Sequence, residues 1–255
     1  MNKTIKYVLY DILRNRIVIA YAVFLFLVSF GLLSFEENSS KALMSLLNIT
    51  LIVVPLISIV FGTIHFYNSY EFIELLLSQP FSRTSIFISQ YLGVSVSLST
   101  AFIVGMGIPI ILYSPDRTGL TLIITGLLLT ISFVSLSFLS SVLARDKAMG
   151  IGIALLLWFL FSLIYDGLIL MLILSLSEYP VEKLTLVLVS LNPIDLGRIF
   201  VMLQMDISAM MGYTGAVYKD FFGGSGGMLY TFLIMFLWIF LPFILANRIF
   251  NRKDL

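Results

Sequence analysis

The chain has 255 residues, of which 60% are apolar and 11% are charged, and its mean hydropathy is +1.06. Soluble domains carry about a quarter charged residues, so this composition excludes an ordinary soluble protein. A formal net charge of +1 argues against binding to nucleic acid. The absence of cysteine excludes disulfides and thiolate sites, and a single histidine argues against a histidine-built metal site within one chain.

Six apolar stretches are each long enough to cross a bilayer. Because helices satisfy their own backbone hydrogen bonds in lipid, these stretches predict an all-α integral membrane protein, with residues 1–255 as one transmembrane domain. In the third stretch, Gly105 and Pro109 predict a kink. The predicted spans are Ile17–Phe35, Leu46–Tyr67, Ile86–Tyr113, Gly119–Leu143, Ile151–Leu176 and Leu229–Phe250.

Basic residues are distributed unequally across these spans. Ten Lys and Arg residues lie on one predicted side and five on the other, and three of those five belong to the long fifth loop. Short loops rich in Lys and Arg stay in the cytoplasm. Both termini are therefore predicted to be cytoplasmic, with residues 177–228 outside.

The N-terminal residues before the first span show helical spacing of apolar side chains, including Val8 and Ile12. This pattern indicates an amphipathic helix on the cytoplasmic membrane surface. The alternative is that the segment only supplies a basic anchor for the first span, and both interpretations are open.

A short acidic segment, Asn68 to Arg83, follows the second predicted span. Glu71 and Glu74 lie one helical turn apart and share a face. Pro80 is expected to end the helix. The helix is more apolar than a solvated turn requires, which favours a docking element for a cytoplasmic partner. The apolar positions that could face lipid or the third span are Phe72, Leu75 and Leu76.

The fifth loop contains a helix start, because Asn192 is a good cap, Pro193 fits the first helical position and Asp195 favours the positive end of the helix. The apolar stretch Ile199–Met205 that follows is too short for a span. We expect re-entrant or interfacial helices here.

Asp166 is the only acidic residue deep inside a predicted span. An intramembrane carboxylate costs several kcal/mol and usually faces a cavity or a partner. Two interpretations are open. Asp166 lines or gates a pathway, or it makes a structural hydrogen bond to Tyr165, Ser162 or a neighbouring helix.

Methionines cluster on the predicted outer side, where Met202 and Met205 are the candidate metal ligands. Thioether sulfur suits Cu(I), but methionine is also a common apolar filler. The sequence contains no Walker A motif, no H-E-x-x-H and no G-x-S-x-G. We therefore expect neither an enzyme active site nor a nucleotide site in this chain.

These features together resemble the ABC-2 type permeases, and the segment after the second span resembles their coupling helix. The resemblance implies that this helix fits a groove of a separate ABC ATPase, which alone binds ATP and Mg²⁺, and that this chain carries no cofactor of its own. It also implies a homodimer in the bacterial inner membrane. The implied ATPase-coupling residues are Glu71, Glu74, Leu75, Leu76 and Arg83, and the motif also includes Leu77, Ser78 and Pro80.

Within that family, two segments resemble the permeases of exporters that help nitrous-oxide reductase to mature. They are Trp158-Phe159-Leu160-Phe161 followed by Asp166, and Leu191-Asn192-Pro193-Ile194-Asp195-Leu196 followed by Arg198. This likeness implies a copper- or sulfur-related cargo. It also implies a periplasmic subunit that contacts the outer loop, where the candidates are Asn192, Pro193, Asp195 and Arg198. The methionine-rich segment after Arg198 departs from the pattern.

An ion-coupled secondary transporter with Asp166 as its proton site is the alternative function. Such transporters often show an internal repeat. No convincing repeat relates the two halves of this sequence.

The predicted orientation can be tested by cysteine labelling, because the chain has no native cysteine. An impermeant maleimide added to intact cells should label Ser225→Cys and leave Ser78→Cys unlabelled, since only the former is predicted to lie outside. Permeabilised cells provide the control, in which both positions should react. Labelling of Ser78→Cys alone in intact cells would reverse the topology.

Overall fold

The computed structural model describes residues 2–36, 38–78, 82–175, 187–205 and 225–252. Every regular element in these ranges is helical, as predicted. The named helices are α1 (Asn2–Leu13), α2 (Arg16–Phe35), α3 (Ser39–Asn68), α4 (Tyr70–Leu77), α5 (Arg83–Phe102), α6 (Ile108–Tyr113), α7 (Arg117–Leu143), α8 (Lys147–Phe159), α9 (Tyr165–Ser175), α10 (Pro193–Met202) and α11 (Ser225–Arg252).

Six of the described helical segments are long and apolar enough to cross a membrane, which confirms the predicted number of spans. Span 1 is α2, span 2 is α3, span 4 is α7 and span 6 is α11. Span 3 joins α5 to α6 through a π-helical turn, Ile103–Gly107. Span 5 joins α8 to α9 through a second one, Leu160–Ile164.

The spans begin and end close to the predicted positions, and the largest difference is at the start of span 2. It begins at Ser39 rather than Leu46, because the Asn38 side chain caps it by accepting a hydrogen bond from the Ser40 backbone N–H at 3.0 Å. The first turn is polar and therefore carries no hydropathy signal. Leu176, the predicted end of span 5, lies outside the described residues.

Span 4 forms the centre of the bundle. Of the residues in its most apolar 18-residue stretch, 78% are buried, against 28% for span 1, 17% for span 5 and 22% for span 6. It contacts spans 2, 3, 5 and 6 as well as α10. Close packing is possible because Gly126 leaves room for the ring of Phe102 on span 3. Spans 1, 5 and 6 therefore form the outer surface of the described chain.

The N-terminal residues form the predicted amphipathic helix. In α1, Val8 and Ile12 are buried against α5, where Gly93 provides the space for them. Arg14 lies over the ring of Tyr10 at 4.5 Å from its centroid. The amphipathic helix thus packs on span 3, while its contact with the membrane surface stays a prediction.

Candidate functional site

A polar cluster joins span 5 to α10. The Arg198 guanidinium donates through Nη1 to Asp166 Oδ2 at 2.7 Å and to Asp195 Oδ1 at 3.2 Å. Asp166 belongs to span 5 and Asp195 to α10, so one cation bridges carboxylates on two elements. Hydrogen bonds between charged groups are stronger than those between neutral groups, so this bridge is a strong polar connection between span 5 and α10.

Asn192 completes the cluster from the start of α10. Its Oδ1 accepts from the Ile194 backbone N–H at 3.0 Å, which confirms the predicted helix cap. Its Nδ2 donates to Asp195 Oδ2 at 2.9 Å and to the Phe161 carbonyl at 2.9 Å. Asn192 is fully buried. A single side chain therefore caps α10, orients Asp195 and holds the π turn of span 5.

The helix α10, which carries Asp195 and Arg198, extends along span 4. At the C-terminal side of α10, the Gln204 carbonyl accepts from the Thr118 hydroxyl at 3.2 Å, near the start of span 4. Further along span 4, Gly197 packs against Thr125 and Leu129. A rise of 1.5 Å per residue puts Leu129 roughly 16 Å from Thr118 along the helix. The contacts of α10 thus extend along span 4 rather than across its end, which favours a re-entrant helix over an interfacial one. The re-entrant assignment stays a prediction.

Exposure differs among the charged groups. The Asp195 side chain is 7% exposed, whereas those of Arg198 and Asp166 are 31% and 37% exposed. Two carboxylates share one guanidinium, so the three groups carry a formal charge of −1 when all are ionised. A buried carboxylate needs a charged or hydrogen-bonding partner, and Asp195 has both Arg198 and Asn192. The Arg198–Asp166 pair forms the accessible edge of the cluster.

Asp166 therefore has a structural partner on a neighbouring helix, one of the options raised by the sequence. The Tyr165 hydroxyl instead donates to the Leu188 carbonyl at 2.6 Å. Ser162 is buried and lacks a hydrogen-bond partner among the described residues. The sequence placed Arg198 with the outer loop and did not pair it with Asp166. The pathway role of Asp166 stays a prediction.

The short helix α4 forms where the acidic segment predicts it, and its two faces differ. Ile73 and Leu76 are buried and fix the helix to the bundle, and α4 contacts both α3 and α5. Glu71, Glu74 and Leu75 are exposed. These three residues and Ser78 lie on one helical face, because their spacing is i, i+3, i+4 and i+7. Leu75 and Leu76 are both predicted coupling residues, but Leu75 is exposed whereas Leu76 is buried against the bundle.

The remaining predicted coupling residue, Arg83, is half-buried at the first position of α5. The helix α5 is capped by Ser82, which accepts from the Ser85 backbone N–H at 3.3 Å. Pro80 lies outside the described residues.

The two candidate methionine ligands lie at the end of α10. Met205 is buried and Met202 is half-buried against the hydrophobic core. Within the described ranges, no group of three or more His, Asp or Glu side chains could hold a metal ion. Apolar packing accounts for both methionines, and a role in binding Cu(I) stays a prediction.

The chain is similar to known membrane transporter proteins over nearly its whole length. Residues 8–255 match the family described as ABC-2 family transporter protein. The probable ABC transporter permease protein NosY of Pseudomonas aeruginosa is 27% identical over 267 aligned residues, covering 96% of this chain and 95% of the relative. The protein of the same description from Stutzerimonas stutzeri is 25% identical over 267 residues, covering 95% of each.

The polar cluster predicts unequal effects of its two exposed members on stability. Arg198→Gln should lower the free energy of unfolding by about 1–3 kcal/mol, because it leaves the buried Asp195 without its cation. Asp166→Asn should cost less, since Arg198 keeps Asp195 as a partner. The thermal unfolding of the full-length chain in detergent measures both changes.

Arg117→Gln is the matched control, because Arg117 is an exposed arginine at the start of span 4. It should unfold at the same temperature as the unaltered chain. Equal losses for Arg198→Gln and Arg117→Gln would show that the cluster does not stabilise the fold.

Proposed function

The chain belongs to the ABC-2 family of transporter permeases, and from this premise we propose that it is the membrane subunit of an exporter driven by a separate ATPase chain. The observation that carries the proposal is the exposed face of α4, where Glu71 and Glu74 flank Leu75. Two carboxylates around an apolar side chain suit a groove with basic edges. The proposed partner is a separate ABC ATPase, a NosF-like chain.

The packing of α4 supports its role as the coupling helix. Ile73 and Leu76 fix α4 to the bundle, so a force on the exposed face acts on spans 2 and 3. The free energy comes from ATP and Mg²⁺ bound by the partner, since no nucleotide-binding motif occurs in this sequence. Closure of the ATPase pair draws two coupling helices together and opens the outer face of the permease.

A second copy of the chain completes the pathway in this proposal. Asp166 is 37% exposed on span 5, the least buried of the spans. A carboxylate that faced lipid there would be costly, even when paired with Arg198. A water-filled pathway between two copies removes that cost, because it provides polar surroundings for the exposed edge of the pair. Asp166 is then a residue of the pathway as well as a partner of Arg198.

For the cargo, we favour a copper- or sulfur-related species used in the maturation of nitrous-oxide reductase. The support is the likeness of the segments around Trp158 and Asn192 and the name of the two relatives. The thioethers of Met202 and Met205 are soft enough for Cu(I). A NosD-like periplasmic subunit would contact other parts of the outer loop, because Pro193 itself is buried. In this proposal the protein lies in the inner membrane of a bacterium, with both termini in the cytoplasm.

An ion-coupled transporter using Asp166 is the second candidate. Its support is the intramembrane carboxylate, which could carry a proton. Family membership favours the ATP-driven mechanism, because α4 then has a function that a secondary transporter does not require.

Reversal of the charge on α4 tests the docking of the ATPase. In Glu71→Lys/Glu74→Lys the partner should no longer co-purify with the permease, because charge-assisted contacts worth about 1.5–3 kcal/mol each become repulsive. Asp11→Lys reverses another exposed carboxylate on the same predicted side and should retain the partner. Undiminished recovery of the ATPase with the double variant would exclude this docking face.

Neutralisation of Asp166 tests the pathway. Asp166→Asn keeps the shape of the side chain and removes its charge, so the variant should fold and bind its ATPase while cargo-stimulated ATP turnover falls. Reconstituted transporter in liposomes, supplied with Cu(I) or with sulfide, provides the measurement. Full stimulation of the variant by a cargo that stimulates the unaltered transporter would restrict Asp166 to a structural role. Transport of the cargo that is driven by a proton gradient in the absence of ATP would favour the second candidate.

A further inference from the structure

A cavity of about 400 Å³ opens at the other end of the bundle from the polar cluster. It lies where spans 2, 4 and 6 end and span 5 begins, on the side predicted to be cytoplasmic. The first residue of α4, Tyr70, forms part of its wall. The proposed transport mechanism does not use this cavity.

The mouth of the cavity is basic. Arg145 and Lys147 belong to the turn between spans 4 and 5, and both are exposed. Lys147 Nζ donates to Asn68 Oδ1 at 2.8 Å, which holds the ammonium group at the end of span 2. The carboxylate of Asp146 caps α8 by accepting from the Met149 backbone N–H at 2.8 Å. The turn has a formal charge of +1 and suits an anion.

The inner wall of the cavity is apolar. Phe66, Val142 and Phe250 are all buried and line it on three spans. The rings of Phe66 and Phe250 meet edge to face with centroids 6.3 Å apart. Tyr67 packs against Gly150 and donates its hydroxyl to the Ser141 carbonyl at 3.0 Å. An aromatic and apolar wall beneath a basic mouth matches the two ends of a phospholipid.

We propose that this cavity binds an anionic phospholipid of the adjacent leaflet. The phosphate lies between Arg145 and Lys147, and one acyl chain lies against Tyr67 and Tyr70, the half-buried aromatic residues of the wall. Basic pockets between spans on the cytoplasmic side attract anionic headgroups. A soluble phosphate would gain nothing from the apolar wall. Since Tyr70 begins α4, the bound lipid touches the helix proposed to dock the ATPase and links membrane composition to ATP turnover.

Photolabelling tests where the lipid binds. The full-length chain in nanodiscs is irradiated with a phosphatidylglycerol that carries a photoreactive acyl chain, and the labelled peptides are mapped. Label should concentrate in residues 66–70 and 141–147, and excess phosphatidylglycerol should remove it whereas phosphatidylcholine and inorganic phosphate should not. Label spread over the exposed apolar side chains of span 6 between Leu233 and Leu245, without competition, would overturn the proposal.

Charge removal tests what binds the headgroup. For Arg145→Gln/Lys147→Gln, affinity for phosphatidylglycerol measured by native mass spectrometry should fall about thirtyfold, as expected for two basic groups near the membrane surface. Arg248→Gln removes an exposed basic residue outside the cavity and should leave the affinity unchanged. If the double variant loses the ATPase but keeps its lipid, the basic pair binds the ATPase and the lipid proposal is wrong.

Discussion

Lipid hydrocarbon provides no hydrogen-bond partner, so irregular backbone inside this bundle must be satisfied by the protein itself. Both π turns obey this constraint, because each interrupts the regular α-helical hydrogen bonding and each has a carbonyl that accepts from a side chain on another element. The Gly105 carbonyl accepts from the Ser29 hydroxyl at 2.8 Å, and the Phe161 carbonyl accepts from Asn192 at 2.9 Å. The π turns of spans 3 and 5 are therefore also the places where these spans are hydrogen-bonded to span 1 and to the start of α10.

The same constraint governs the charged groups. Asp195 is almost fully buried, and its carboxylate accepts from Asn192 and Arg198. Arg198 in turn reaches Asp166 on span 5. Breaking either connection would leave a charge with fewer partners in a medium of low dielectric constant, which costs more than the contact itself contributes. Movement of span 5 relative to α10 thus requires polar surroundings, such as water in an open pathway, or a joint movement of both elements.

Hydropathy and capping residues predicted the six spans, α4 and the start of α10, because each depends on local sequence. The pairing of Asp166 with Arg198 joins residues 32 positions apart, and no local pattern selects one partner over the nearer hydroxyls. Gly105 and Pro109 indicated irregular backbone in span 3. The π turn at Leu160–Ile164 contains neither glycine nor proline, so no local residue marks it, and its described tertiary contact is the hydrogen bond from Asn192 to the Phe161 carbonyl. The proposed functional roles depend on partner chains that local sequence does not describe.

The two ends of the bundle are connected through span 2. At one end, α4 follows span 2 directly and packs on it. Towards the middle, Trp158 of span 5 donates its indole N–H to the Ile52 carbonyl of span 2 at 3.2 Å. The π turn begins two residues after Trp158, and Asp166 follows that turn. A displacement of α4 would therefore reach span 5 through span 2, next to the π turn that precedes the Arg198–Asp166 pair.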